Sequence, residues 1–240
     1  MQFQTPKEKI LIVDFGSQVT KLIARRIREL GVYSEIVNPG EIKTLKQFNN
    51  IKGIILSGGP STVTRQKFQT IPKKIFNKKI PILGICYGLQ LIAKLFGGKI
   101  KSSKKKREFG RAYIFQKKKS EKKKIFFKNQ NSVWMSHEDA VVKLPKNFKM
   151  IAYTKSSKLT IIENSKQKIY GIQFHPEVTH TDNGKQIFKN FLFKVCKIKK
   201  RWSVVSHKNR LIQEIRKTVC NDKVICALSG GVDSSVVALL

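Results

Sequence analysis

Residues 80–90 read Ile80-Pro81-Ile82-Leu83-Gly84-Ile85-Cys86-Tyr87-Gly88-Leu89-Gln90. A short apolar run from Pro81 to Cys86 meets a turn with a glycine on either side of a cysteine. Leu89 to Phe96 then carries a helix closed by Gly97-Gly98. A short apolar run bounded by turn signals fits a strand covered on both faces, as in parallel sheets. A strand that turns at once into a helix leaves Cys86 at its C-terminal edge, where open α/β sheets hold their ligands.

The same alternation extends outward. Lys9 to Asp14 reads as a buried strand and Gly16-Ser17 as a turn. Val19 to Leu30 has helical periodicity through Val19, Leu22, Ile23, Ile27 and Leu30, and Gly31 stops it. Val32 to Val37 is the next strand, and Gly53 to Leu56 runs into Ser57-Gly58-Gly59-Pro60. Strands alternating with helices predict an α/β fold, a mostly parallel sheet flanked by helices. The middle of the chain offers short strands at Phe109 to Phe115, Ile125 to Phe127, Ala140 to Leu144, Met150 to Thr154, Leu159 to Ile162 and Ile169 to Phe174. Gly184 to Val195 reads as one amphipathic helix. This first domain covers 1–196, and 197–206 reads as a charged linker. A second unit, 207–240, opens with a helix from Asn209 to Val219. A strand at Lys223 to Leu228, a turn at Ser229 to Ser234 and the start of a buried helix from Ser235 follow. Strand, turn and half a helix cannot bury their own apolar faces, so this unit is expected to be incomplete at Leu240. No internal repeat is visible.

Composition narrows the class. The chain has 240 residues and no apolar run of about 18, so no membrane helix is expected. The N-terminus lacks the apolar stretch and cleavage site of a signal peptide. Four cysteines without metal-type spacing fit a reduced, cytoplasmic setting. The formal charge of +34 points to nucleic acid. Yet 40 lysines stand against 9 arginines, spread over most of the chain. Arginine is the residue favoured for bidentate phosphate and base contacts. The densest stretch, Lys101 to Lys128, has no aromatic ladder between its charges and reads as a solvated hairpin.

The candidate chemistry starts at Cys86. A cysteine on a strand-to-helix elbow sits in a strained backbone conformation, with Gly84 and Gly88 giving room. The helix N-terminus favours a thiolate and aims N–H groups at a developing oxyanion. A buried structural cysteine is the competing reading. His175-Pro176-Glu177 adds weight to the first. Residues i and i+2 of an extended segment face one side, so the imidazole can take the thiol proton while the carboxylate orients it. His137, His180 and His207 compete, and only His137, through Asp139, also has an acid at i+2. Ser57-Gly58-Gly59-Pro60 permits a second N–H near a ligand.

These segments resemble a known family. Gly84-Ile85-Cys86-Tyr87-Gly88-Leu89-Gln90, Leu56-Ser57-Gly58-Gly59-Pro60 and Phe174-His175-Pro176-Glu177-Val178 are similar to the class I (triad) glutamine amidotransferases. The resemblance covers essentially the whole chain and implies a flavodoxin-like fold. Cys86 is implied as nucleophile, His175 as base and Glu177 as third member. The N–H groups of Gly59 and Tyr87 are implied as oxyanion hole, with Gln90, Ser136 and His137 holding glutamine. Asp14 to Gln18, Arg107 to Gly110 and Trp134 to His137 narrow the resemblance to the branch that aminates xanthosine monophosphate (XMP) to GMP. There ammonia from glutamine displaces AMP from an adenylated nucleotide. One position departs: the family usually has glycine after Ser-His, where this chain has Glu138. A carboxylate there either repels the α-carboxylate of glutamine or swings into solvent.

Ser229-Gly230-Gly231-Val232-Asp233-Ser234-Ser235 follows an apolar run and opens a helix. Consecutive N–H groups and hydroxyls there form an anion nest suited to pyrophosphate, without the Gly-Lys-Ser/Thr of a Walker loop. The resemblance implies an ATP-pyrophosphatase loop, with ATP and Mg2+ as substrate of the full-length enzyme. It also implies a homodimer formed through a region beyond Leu240. The expectation is that this chain alone makes no GMP. The readings carried forward are the glutamine-hydrolysing part of such an enzyme, a non-catalytic remnant of one, an amidotransferase for another acceptor and, last, a nucleic-acid binder.

Overall fold

The computed structural model describes residues 8–44, 48, 50–102, 107–116 and 131–239. The lysine clusters at 104–106, 117–119 and 122–124 and the expected strand Ile125 to Phe127 lie outside the described residues. β1 (Lys9–Val13) is a run of four apolar side chains after Lys9, all buried. Ile10 and Ile12 enter the core on one face of the sheet, Leu11 and Val13 on the other. An unbroken apolar run thus serves a strand with helices on both sides. α1 (Thr20–Glu29), β2 (Ser34–Val37), the short α2 (Pro39–Thr44), β3 (Ile51–Leu56), a 3-10 turn (Lys73–Lys78), β4 (Ile82–Ile85) and α3 (Tyr87–Leu95) follow. α1 buries Ile23, Ala24 and Ile27 on the first face. α3 buries Tyr87, Leu89, Leu91 and Ile92 on the second. Each such side chain contributes roughly 1.5–3 kcal/mol relative to exposure.

The middle of the chain supplies β5 (Lys99–Ser102), β6 (Glu108–Gln116), β7 (Asn131–His137), β8 (Asp139–Lys143), β9 (Lys149–Tyr153), β10 (Ile161–Asn164) and β11 (Ile169–Ile172). The main sheet has nine strands in the order β2-β1-β3-β4-β11-β10-β9-β6-β7. The run β2-β1-β3-β4-β11 is parallel. The rest of the sheet continues antiparallel. β5 and β8 pair antiparallel as a separate small sheet. The expected α/β fold is present, with an antiparallel extension that carries one wall of the site.

Register positions the chemistry. Leu56 of β3, Gly84 of β4 and Gly171 of β11 lie in one row across adjacent parallel strands. The chain therefore leaves these strands at the same level. Ser57-Gly58-Gly59, Cys86 and the segment leading to His175 emerge side by side at the C-terminal edge.

Four elements differ from the sequence reading. The expected helix 184–195 is α4 (Gly184–Lys189) followed by a π-helical turn, Asn190–Val195. α5 (Val204–Val219) starts five residues before Asn209, inside the expected linker, because the Ser203 Oγ accepts the Ser206 N–H and caps it. Lys223 to Leu228 is not a strand. Val224, Ile225 and Leu228 stay 66%, 97% and 58% exposed, and no described strand runs beside them to complete a ladder. α6 (Val232–Leu239) forms after the turn but buries no residue, so the expected buried helix is an exposed one. Among the described residues, no helix is long and apolar enough to cross a membrane.

Candidate active site

Cys86 lies between β4 and α3 with φ 52° and ψ −104°, a conformation that is costly for any residue bearing a Cβ. Two backbone bonds hold it there. Its N–H donates to the Ile172 carbonyl at 2.8 Å, and its carbonyl accepts from Gln90 N–H at 3.2 Å. The tightness of the elbow requires glycine at 88. A Cβ there would run into the Leu56 carbonyl, and the Gly88 N–H donates to Ser57 O at 3.1 Å. The Cys86 thiol is buried and donates to the Ser136 carbonyl at 3.6 Å.

His175 leaves β11 on the neighbouring strand. Its N–H donates to Trp134 O at 3.1 Å, and its carbonyl accepts from Thr181 Oγ1 at 2.6 Å, which fixes the backbone beneath the ring. Its Nδ1 lies 2.8 Å from Oε1 of Glu177, a fully buried carboxylate. With Nδ1–H donated to Glu177, Nε2 is the nitrogen left for Cys86. Burial alone would depress the His175 pKa. Hydrogen bonds with Cys86 and Glu177, and their charges, outweigh it and push the pKa up to about 10. Arg26, itself paired with Glu29 at 3.1 Å, donates from Nε to the Glu177 carbonyl at 3.1 Å and ties α1 to the site.

The loop after β3 closes the other side. Ser57 Oγ accepts from Phe15 N–H at 3.0 Å and donates to Gly58 O at 2.7 Å. A Cβ on Gly59 would lie 2.5 Å from the Phe15 carbonyl, so only glycine fits. Gly59, Cys86 and Tyr87 line a cleft of about 610 Å³. Tyr87 opens α3, whose first N–H groups have no acceptor within the helix. Gly59 and Tyr87 therefore share the cleft with the Cys86 sulfur.

Gln90, Ser136 and His137 also line this cleft. Gln90 spends its Nε2 on the Asp139 carbonyl at 2.8 Å, so it fixes the wall. The His137 ring is buried with Nε2 at 3.3 Å from Glu108 Oε2. Burial raises the Glu108 pKa, but bonds from His137 and Thr154 outweigh this and hold it below the usual carboxylate range. Asp139 meets Thr62 instead. His137 and Asp139 therefore do not form a second dyad. His180 stacks on Trp134 with centroids 4.5 Å apart, and His207 contacts Arg210 at 3.1 Å. Glu138 turns to Arg107, 3.0 Å away at the cleft mouth. Glu138 nevertheless still lines the cleft, with its carboxylate paired to Arg107.

Two neighbours of the site were not singled out from the sequence. Arg26 carries no signal, being one basic residue on a helix face. Nor does Gln173, a lone glutamine at the end of an apolar strand, which only the β4–β11 register brings to Cys86. None of Ser229–Ser235 lines the cleft. In that loop Ser229 Oγ and Ser234 Oγ are 3.0 Å apart. The hydroxyls of Ser234 and Ser235 donate to the Gly231 carbonyl at 2.9 and 3.0 Å. Among the described residues no group of three or more His, Cys, Asp or Glu side chains could hold a metal ion.

Comparison with known proteins agrees with this geometry. The pattern of the glutamine amidotransferase class-I family matches residues 11–195. The glutamine-hydrolyzing GMP synthase of Borrelia garinii subsp. bavariensis is 50% identical over 96% of this chain and 43% of its own length. That of Macrococcus caseolyticus is 46% identical over 100% of this chain and 46% of its own length. The chain thus spans under half the length of these relatives. The solved structure of a candidate GMP synthase component from Thermoplasma acidophilum superposes with a TM-score of 0.66 at 30% identity. It covers 88% of this chain and 100% of that one. A glutamine amidotransferase from Thermotoga maritima, 19% identical with a TM-score of 0.61, shares the fold. The family pattern takes in both strands that carry Cys86 and His175, and the chain belongs to the class-I glutamine amidotransferases.

Proposed function

We propose that this chain hydrolyses glutamine to supply ammonia for the ATP-dependent conversion of XMP to GMP, Cys86 being the nucleophile. The observation that carries the reading is the elbow cysteine set beside the buried His175–Glu177 pair on the adjacent strand. The GMP synthases that it resembles supply the acceptor half.

The Cys86 proton passes to Nε2 of His175, and Glu177 stabilises the imidazolium. The thiolate attacks the side-chain amide carbon of glutamine, forming a C–S bond. The oxyanion is held by Gly59 and Tyr87 N–H groups. Collapse breaks the C–N bond, and His175 returns its proton to the leaving nitrogen, giving ammonia. Water then attacks the glutamyl thioester with His175 taking its proton, which releases glutamate and restores the sulfur. Gln90, Ser136 and His137 shape the pocket for the glutamine backbone. Ser229–Ser235 is the candidate loop for the pyrophosphate of ATP, with Mg2+ arriving on the nucleotide. On this reading 1–196 is the amidotransferase domain, 197–206 its linker and 207–240 part of the synthetase half.

The test is glutamate release from glutamine by the purified chain and by Cys86→Ala. Turnover that falls about a thousandfold or more in the variant supports the reading. Equal turnover in both removes Cys86 from the mechanism.

A further inference from the structure

We propose that Gln173 is a catalytic residue of this site. Its side-chain amide donates a hydrogen bond to the Cys86 sulfur and holds it as the thiolate. The inference rests on the amidotransferase reading above.

Register brings the two residues together. β4 and β11 pair as Gly84 with Gly171 and Ile85 with Ile172, so Cys86 and Gln173 are the next residues on neighbouring strands. The Cys86 N–H is bonded to Ile172 O at 2.8 Å, and the Gln173 N–H to Thr160 O at 2.9 Å, so neither backbone is free to drift. The Gln173 side chain is fully buried, and its Nε2 lies 3.6 Å from Cys86 Sγ. Sulfur is a large atom, and this separation is ordinary for N–H···S.

The chemistry of the neighbours assigns a direction. Ser136 O can only accept, so it favours the thiol, whose S–H it binds at 3.6 Å. An amide nitrogen can only donate, so Gln173 keeps its bond when the proton leaves. That bond strengthens once the acceptor is charged. It joins His175 and the N-terminus of α3 in offsetting the Ser136 carbonyl dipole that the thiolate faces. Gln173 Oε1 is buried and has no hydrogen-bond partner among the described residues. A residue kept for packing alone would not carry that cost, which recurs at functional sites. Gln173, His175 and Glu177 all follow β11 within five residues, so one stretch of chain delivers donor, base and orienting acid together.

The experiment measures iodoacetamide alkylation of Cys86 against pH by peptide mapping. Exposed Cys220 serves as internal reference, and iodoacetamide needs no glutamine pocket. Gln173→Leu fills similar volume without a donor, and Gln173→Glu keeps the shape but cannot donate once ionised. Each is first checked for a wild-type melting transition. The expected result is Cys86 alkylation at neutral pH at least about tenfold slower in both variants, its pH midpoint moved upward, and Cys220 unchanged. In glutamine turnover kcat falls while KM holds. Either variant alone, if folded, decides the matter: a wild-type rate and midpoint would overturn the assignment. If glutamine does not slow Cys86 alkylation in the wild-type chain, the amidotransferase reading fails, and the assignment with it.

Discussion

On the proposed mechanism one proton passes between Cys86 and His175, and Glu177 holds it on the imidazole. The ordinary His pKa is about 6.5 in an unfolded chain, and the folded value is raised to about 10. The stabilisation from this pairing is therefore fully present below pH 6.5 and is lost as pH rises through about 10. Glu177→Gln should show its largest stability deficit in chemical denaturation near pH 6, shrinking toward pH 10. A gap that stays constant with pH would contradict the ion-pair account. Glu138 sets a second prediction. While Arg107 neutralises its carboxylate, Glu138→Gly should leave KM for glutamine nearly unchanged. Arg107→Ala frees the carboxylate near the α-carboxylate of glutamine and should raise KM several-fold, an effect that salt screens. If KM falls sharply in Glu138→Gly instead, the carboxylate already opposes the substrate. The placing of Cys86 at a strand-to-helix elbow and of His175 against Glu177 was legible in a glycine-flanked cysteine and a His-x-Glu spacing, while their roles belong to the proposed mechanism. Gln173 was not legible. A lone glutamine at the end of an apolar strand looks like filler until register sets it beside the sulfur.

At the scale of elements, β4 and α3 form the working unit, and glycine is what allows them to meet. Gly88→Ala would push a methyl into the Leu56 carbonyl, and overpacking of this kind costs about 1–3 kcal/mol. The midpoint of urea unfolding should fall accordingly; an unchanged midpoint would mean that the elbow is looser than it stands. Strand existence was readable from apolar runs because parallel strands are buried on both faces, as in β1. Start points were less so. α3 begins at Tyr87 and not at Leu89, since its first turn is set by the cysteine backbone. The π-helical turn at Asn190–Val195 has the same apolar spacing as a continued α-helix and leaves no mark in the sequence. Lys223 to Leu228 has the composition of a buried strand, but composition does not supply a neighbour.

For the molecule as a whole, the decisive arrangement is the common level at which β3, β4 and β11 end. It brings the Ser57–Gly59 loop, Cys86 and His175 from three distant stretches of chain to one edge of the sheet. The charge of +34 plays no part in that arrangement: no lysine lines the cleft among the described residues, and Cys86, His175 and Glu177 are buried. The most direct test of the central claim is covalent trapping with a glutamine-mimicking electrophile, read by intact mass and peptide mapping, with Cys86→Ala as control. The account predicts a single adduct on Cys86, slowed by glutamine and absent in the variant. A folded chain that takes up no label, or takes it up on Cys220 or Cys226 regardless of glutamine, would contradict it.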